Sequence, residues 1–111
     1  MSYIPNRGDI VWLNFTSQAG HEQMGTRPAL ILSPEKYNKK TGVAVCCPIT
    51  SNVKGYPFEV VISGKKIKGA VLSDHLKNLD WKIRKAKFIE KAPKEALEQC
   101  LMKISALIIQ A

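Results

Sequence analysis

The 111-residue chain has no apolar run approaching the ~20 residues that cross a bilayer, and Met1-Ser2-Tyr3-Ile4-Pro5 lacks the charged and apolar regions of a signal peptide. Neither membrane insertion nor export is expected, and the cytoplasm is the expected compartment. Cysteine is scarce, with three residues and no CxxC spacing. Cys46 and Cys47 are adjacent, so on a strand they point to opposite faces and cannot clasp one metal. Cys100 falls in a helical pattern, as a small core residue does. An odd count without ligand spacing argues against a disulfide framework and a zinc site, and no other metal or cofactor is expected. No repeat, low-complexity segment or linker divides the sequence. One domain, residues 1–111, with a single core is expected at this length.

Acidic residues are also few: nine Asp and Glu against seventeen Lys and Arg, a net charge of +8. The imbalance is concentrated, because residues 54–94 hold eleven bases and four acids, net +7. A local positive field of this kind suits a polyanion such as RNA, DNA or an acidic protein tail. A lysine-rich soluble surface would carry the same charge, so charge alone does not decide.

What is present is β-patterned for most of its length. Across residues 8–15, Ile10, Trp12 and Asn14 alternate with Val11, Leu13 and Phe15, and both faces are largely apolar, as in the wall of a small barrel. Trp12, mid-strand among apolar neighbours, is expected in the core. Further strands are expected at 29–32, 43–49, 58–63, 69–73 and 85–90, with no βαβ spacing. Pro48 argues for an edge or a bulge near the end of the second of these. A helical turn is expected after Pro34, and residues 74–81 take no clear assignment. From Pro93 onward Leu97, Leu101, Ile104 and Ile108 repeat at helical spacing, with Cys100 and Leu107 beside them. Glu95 and Glu98 suit the positive end of that helix. Its apolar stripe must pack on the barrel or on a second chain.

The first long loop carries most of the chemistry. Gly20-His21-Glu22-Gln23-Met24-Gly25-Thr26-Arg27-Pro28 runs directly into Ala29-Leu30-Ile31-Leu32-Ser33. Pro28 biases Arg27 toward an extended conformation, at the point where a loop becomes a strand. An Arg27–Glu22 pair that merely holds the loop is the competing structural reading.

These residues resemble the signature of the MazF/PemK/Kid family of toxin endoribonucleases. The resemblance continues through Gly8-Asp9-Ile10-Val11-Trp12, Val45-Cys46-Cys47-Pro48-Ile49-Thr50-Ser51, Lys54-Gly55-Tyr56-Pro57-Phe58-Glu59-Val60, Gly69-Ala70-Val71-Leu72-Ser73-Asp74 and Leu79-Asp80-Trp81. Together they span nearly the whole chain in order. The family implies a mainly β fold with α, a small SH3-like β-barrel with a C-terminal α-helix, acting as a homodimer. It implies metal-independent cleavage of single-stranded RNA to a 2′,3′-cyclic phosphate and a 5′-hydroxyl. It also implies an antitoxin partner with an acidic, disordered tail, and DNA binding through the toxin–antitoxin complex.

Arg27 and Thr50 fall on the family's two main catalytic positions, and Glu22 on the loop carboxylate of the MazF branch. His21 matches the histidine of a Kid-like GHEQ loop. Asp74 matches the Kid-like catalytic aspartate, but Leu72 stands where Kid has an arginine and His75 replaces a glutamine. Those departures favour a MazF-type site built on Arg27 and Thr50. Arg27 is suited to stabilising phosphate charge and unsuited to act as a base. Glu22, His21 or Asp74 could take the proton of the 2′-hydroxyl. Thr50 either donates to a phosphate oxygen or only caps a turn, and Asp74 either reacts or only holds a loop.

Single-stranded RNA calls for aromatic platforms beside basic residues. Lys54, Tyr56, Ser51, Lys77 and Trp81 are the candidates, with Phe58 equally suited to the core. Two rivals keep the fold without the cleavage: a CcdB-like gyrase-inhibiting protein, and a catalytically inactive RNA-binding module.

Overall fold

The computed structural model describes residues 3–16 and 25–109. Seven strands and two helices follow in the order β1 (Asp9–Asn14), β2 (Thr26–Ile31), α1 (Glu35–Thr41), β3 (Val43–Thr50), β4 (Glu59–Ser63), β5 (Lys68–Leu72), β6 (Lys77–Asp80), β7 (Lys87–Lys91) and α2 (Lys94–Ile109). All pairings are antiparallel, in the order β4-β5-β3-β2-β1-β7, with β6 also on β3. The sheet curls into a half-barrel. Its end strands β4 and β7 share no ladder among the described residues.

β3 organises the sheet because one of its edges serves two partners. Val43 to Cys46 pair with β6, whereas Ile49 and Thr50 pair with β5. Its other edge pairs Cys46, Cys47 and Pro48 with β2. Pro48 is therefore in a central strand rather than an edge, and it is buried. It sits between the last residue paired with β6 and the first paired with β5, where no neighbour on that edge asks for an N–H.

The middle strands bury both faces, as their apolar alternation implies. One face packs Ile10, Leu30, Cys47, Ile49, Val60, Ile62 and Val71 with Ala96 and Cys100 of α2. The other packs Val11, Leu13, Phe15, Ala29, Ile31, Ala44 and Cys46 under Trp81. Adjacent Cys46 and Cys47 do face opposite ways, one into each cluster. Fully burying a side chain of Ile or Leu size contributes about 1.5–3 kcal/mol, so the two clusters dominate the stability.

Two expectations are corrected here and two are refined. Trp12 is 38% exposed rather than core, because the face that holds Ile10 in the first cluster turns outward toward Asn14. β2 begins at Thr26 and so includes Arg27 and Pro28; there it pairs with β1 alone, which tolerates the proline. Residues 77–80 form β6. In α2, Leu97, Cys100 and Ile104 pack on the sheet, while Leu101, Leu107 and Ile108 of the expected stripe face outward with Met102 and Ile109. No helix among the described residues is long and apolar enough to cross a membrane.

Candidate active site

β3 ends at Thr50, the chain leaves the sheet through residues 51–58, and it re-enters at Glu59. The turn after β5 is closed by a bond from the His75 N–H to the Leu72 carbonyl at 3.0 Å. Between this turn and the loop lies a cavity of about 270 Å³. Thr50, Asn52, Lys54, Tyr56 and Glu59 line one side, and Leu72, Asp74 and His75 the other.

Thr50 is held from two directions. Its hydroxyl oxygen accepts the Asn52 N–H at 3.0 Å, which starts the loop. The turn-capping role is thus real, but that bond uses the oxygen as acceptor and leaves the hydroxyl proton to donate. On the other side Thr50 pairs with Ala70 of β5. The approach there depends on Gly69, because a Cβ at that position would fall 2.1 Å from the Thr50 carbonyl oxygen. Glycine within a strand pattern signals such an approach, and this was legible in the sequence.

Arg27 lies exposed on β2, opposite Leu13 of β1. The β2–β3 register pairs Ala29 with Pro48; continued two residues further, it sets Arg27 across from Thr50. Arg27, near the start of β2, and Thr50, at the end of antiparallel β3, thus stand toward the same end of the sheet. His21 and Glu22, with the rest of the GHEQ resemblance, lie outside the described residues.

Asp74 faces the cavity with its side chain 43% exposed, and His75 Nε2 stands 3.9 Å from its Oδ1. No hydrogen bond to the Asp74 carboxylate occurs among the described residues, so the loop-holding reading gains no support. The buried Nδ1 of His75 has no hydrogen-bond partner there either. Lys54 and Tyr56 line the cavity, and exposed Ser51 lies between two lining residues in the chain. Phe58 is half-buried, and its carbonyl accepts the Ser73 N–H and hydroxyl. Lys77 stands on β6 opposite Cys46, away from the lining residues.

Trp81 is a correction. It is 7% exposed, packs in the second core cluster, and donates its Nε1–H to the Asn38 carbonyl at 3.0 Å. A ring so enclosed cannot stack on a base. The residues that sequence reasoning passed over as site members are Asn52, Glu59 and His75. An acid five residues after Lys54, inside the most basic stretch, was the available signal for Glu59.

The cysteines offer no nucleophile. Burial pushes the Cys46 thiol up to about 12 and that of Cys100 to about 11, and it raises Cys47 as well. Among the described residues no three His, Cys, Asp or Glu side chains gather as a metal-binding group.

A curled antiparallel half-barrel with a C-terminal helix, carrying a cavity lined by polar and charged residues at one end of the sheet, places the chain among small, mainly β proteins. Among them the assignment is specific. Residues 6–108 match the family described as PemK-like, MazF-like toxin of type II toxin-antitoxin system, and the chain belongs to that family. It is 44% identical over 106 residues, 96% of each protein, to the endoribonuclease toxin MazF of Escherichia coli K12. The crystal structure of MazF from Deinococcus radiodurans superposes with a TM-score of 0.91 at 49% identity, covering 96% of this chain and 98% of that one. MazF in a MazE–MazF complex of the same organism superposes at 0.86 with 43% identity, covering 97% and 98%.

Proposed function

We propose that the protein, acting as one domain, is the toxin of a type II toxin–antitoxin pair. In this reading it is a sequence-specific endoribonuclease that cuts single-stranded RNA. The observation that carries this is the shared cavity of Thr50, Lys54, Tyr56 and Asp74, with Arg27 on β2 toward the same end of the sheet, in a chain whose relatives are named endoribonucleases.

The 2′-hydroxyl oxygen attacks its own phosphorus, and the bond from phosphorus to the 5′-oxygen breaks. One proton leaves the 2′-hydroxyl and one reaches the departing 5′-oxygen, giving a 2′,3′-cyclic phosphate and a 5′-hydroxyl. The substrate supplies its own nucleophile, so the step proceeds without a metal. Arg27 carries the charge that grows on the phosphate. Thr50 donates a hydroxyl hydrogen bond to a non-bridging oxygen. Glu22, His21 and Asp74 are the three groups suited to accept the 2′-proton. Lys54 and Tyr56 hold the strand by charge and stacking.

The excess of +7 over residues 54–94 suits the acidic tail of a MazE-like antitoxin, which would compete for the same surface. The outward apolar residues of α2 suit a second copy of the chain.

The test is digestion of a long RNA in EDTA, with both new ends characterised. Cleavage leaving 5′-hydroxyl ends is expected. Dependence on a divalent ion, or 5′-phosphate ends, would overturn the mechanism. Binding without cleavage would make the protein an RNA-binding module, and neither would leave a protein-directed inhibitor.

A further inference from the structure

A carboxylate lining a cavity that receives a polyanion weakens binding by its charge, so Glu59 needs another reason to be there. We propose that Glu59 is a positioning residue, whose carboxylate holds the 51–58 loop in the shape that presents Lys54 and Tyr56 to RNA. This rests on the functional reading above and deepens it.

The loop has no strand partner, and its two ends are secured by other groups. At the start, Asn52 is tied to the Thr50 hydroxyl. At the end, the Phe58 carbonyl is tied to Ser73, and the Pro57 carbonyl accepts from Lys103 of α2. The middle is held by Glu59. Its Oε1 accepts the N–H groups of Lys54 at 3.0 Å and Gly55 at 2.7 Å, and its Oε2 lies 3.3 Å from the former. Gly55 turns with φ of +82°, a conformation other residues adopt only with strain, so the bend is specific. Glu59 can serve as an anchor because it opens β4, paired with Leu72 of β5. Its backbone belongs to the sheet while its side chain reaches back along the loop.

The Glu59 N–H also donates to the Tyr56 carbonyl at 3.0 Å, a bond any side chain at 59 would keep, and of the carboxylate's share nearly all is done by one oxygen, which separates positioning from charge. Glu59→Gln removes the charge but keeps an oxygen able to take both N–H groups. Glu59→Ala removes charge and acceptor together. Positioning predicts that Glu59→Ala raises KM for RNA cleavage about tenfold with little change in kcat, while Glu59→Gln stays within about threefold of wild type. A purely electrostatic role predicts instead that both variants lower KM equally, and that result would overturn the proposal. So would a Glu59→Ala protein with wild-type KM.

Binding to a 2′-O-methyl oligonucleotide mixture should follow the same order, and the backbone amide signals of Lys54 and Gly55 should move in Glu59→Ala but not in Glu59→Gln. Melting temperatures of both variants check that the fold is intact. A wild-type protein that cleaves no RNA would defeat the functional reading. If wild type cleaves and Glu59→Ala cleaves as well as it does, only the positioning role fails. If the amide signals stay in place, the positioning role fails whatever the activity.

Discussion

Glu59 and Glu90 solve the same local problem in two parts of the molecule. Each gathers the N–H groups of a turn that no ladder reaches: Glu59 those of Lys54 and Gly55, Glu90 those of Lys65, Lys66 and Ile67 at 2.8–3.0 Å. Glu59 faces a cavity and shapes a loop. Glu90 stands on β7 and reaches the β4–β5 turn, joining the two ends of the sheet that share no ladder, so it stitches the open seam of the half-barrel. The same bonds therefore serve recognition at one end and closure at the other. Substitutions at the cavity end should change RNA binding or cleavage and leave stability alone, and substitutions at the seam should do the reverse.

The largest effect expected is at the cavity end. Arg27→Ala should lower the single-turnover cleavage rate by roughly 10²–10³, the scale of losing one preorganised donor, with the melting temperature little changed. Arg27→Lys should recover only part, since it returns the charge without the planar fork. A stable, fully active Arg27→Ala protein would end its catalytic role. Loss of stability without loss of rate would make it a loop residue.

At the seam, Glu90→Ala should cost about 1–2 kcal/mol of stability in chemical denaturation and leave the cleavage rate unchanged. A pH dependence goes with it. Desolvation pushes the Glu90 carboxyl up, but the N–H groups of Ile67, Lys66 and Lys65 and the Lys66 charge outweigh it, so it lies below its ordinary value of 4.5. A lowered value in the folded state means the contribution is complete above about 4.5 and fades as pH falls through the depressed value. The stability difference between wild type and Glu90→Gln should therefore shrink in that acid range. A difference that stays constant there would remove the charge from the account.

The smallest effect separates core from groove. Trp81→Phe should cost about 1 kcal/mol for the lost bond to the Asn38 carbonyl, which still receives the Gly42 N–H. RNA affinity should not change. A clear fall in affinity at unchanged stability would return Trp81 to the binding surface.

Most of the architecture was legible because apolar alternation reports burial directly. Val11, Leu13 and Phe15 face one core and Ile10 the other, as their positions require. Partner choice was not legible, since it depends on residues far away in the chain. Pro48 read as an edge or bulge residue, yet it lies in a central strand at a stretch paired along one edge only, and Pro28, which the expected strand at 29–32 left out, does the same. β6 escaped notice because Lys77, Asn78 and Asp80 carry little alternation, and its pairing partner sets it. In the site, Arg27 was visible at the junction of a loop and a strand, and Thr50 through the family resemblance. The bonds from Glu59 were not, because an acid among lysines looks like charge balance until its oxygens are located.

The shared edge of β3 divides the cavity between two levels of stability. The β4–β5 hairpin is laddered to β3 through two residue pairs, Ile49 with Val71 and Thr50 with Ala70, whereas β2 is laddered to its neighbours along both sides. Opening at the β3–β5 junction therefore breaks fewer ladder bonds than opening β2, and its cost lies in the packing of Val60, Ile62 and Val71 and in the Glu90 bonds. Leu72, Asp74 and His75 follow the hairpin, while Thr50 and Arg27 stay with the body. Amide exchange should therefore run faster in β4 and β5 than in β1 and β2, and each such opening would take the cavity apart while most of the fold stays intact.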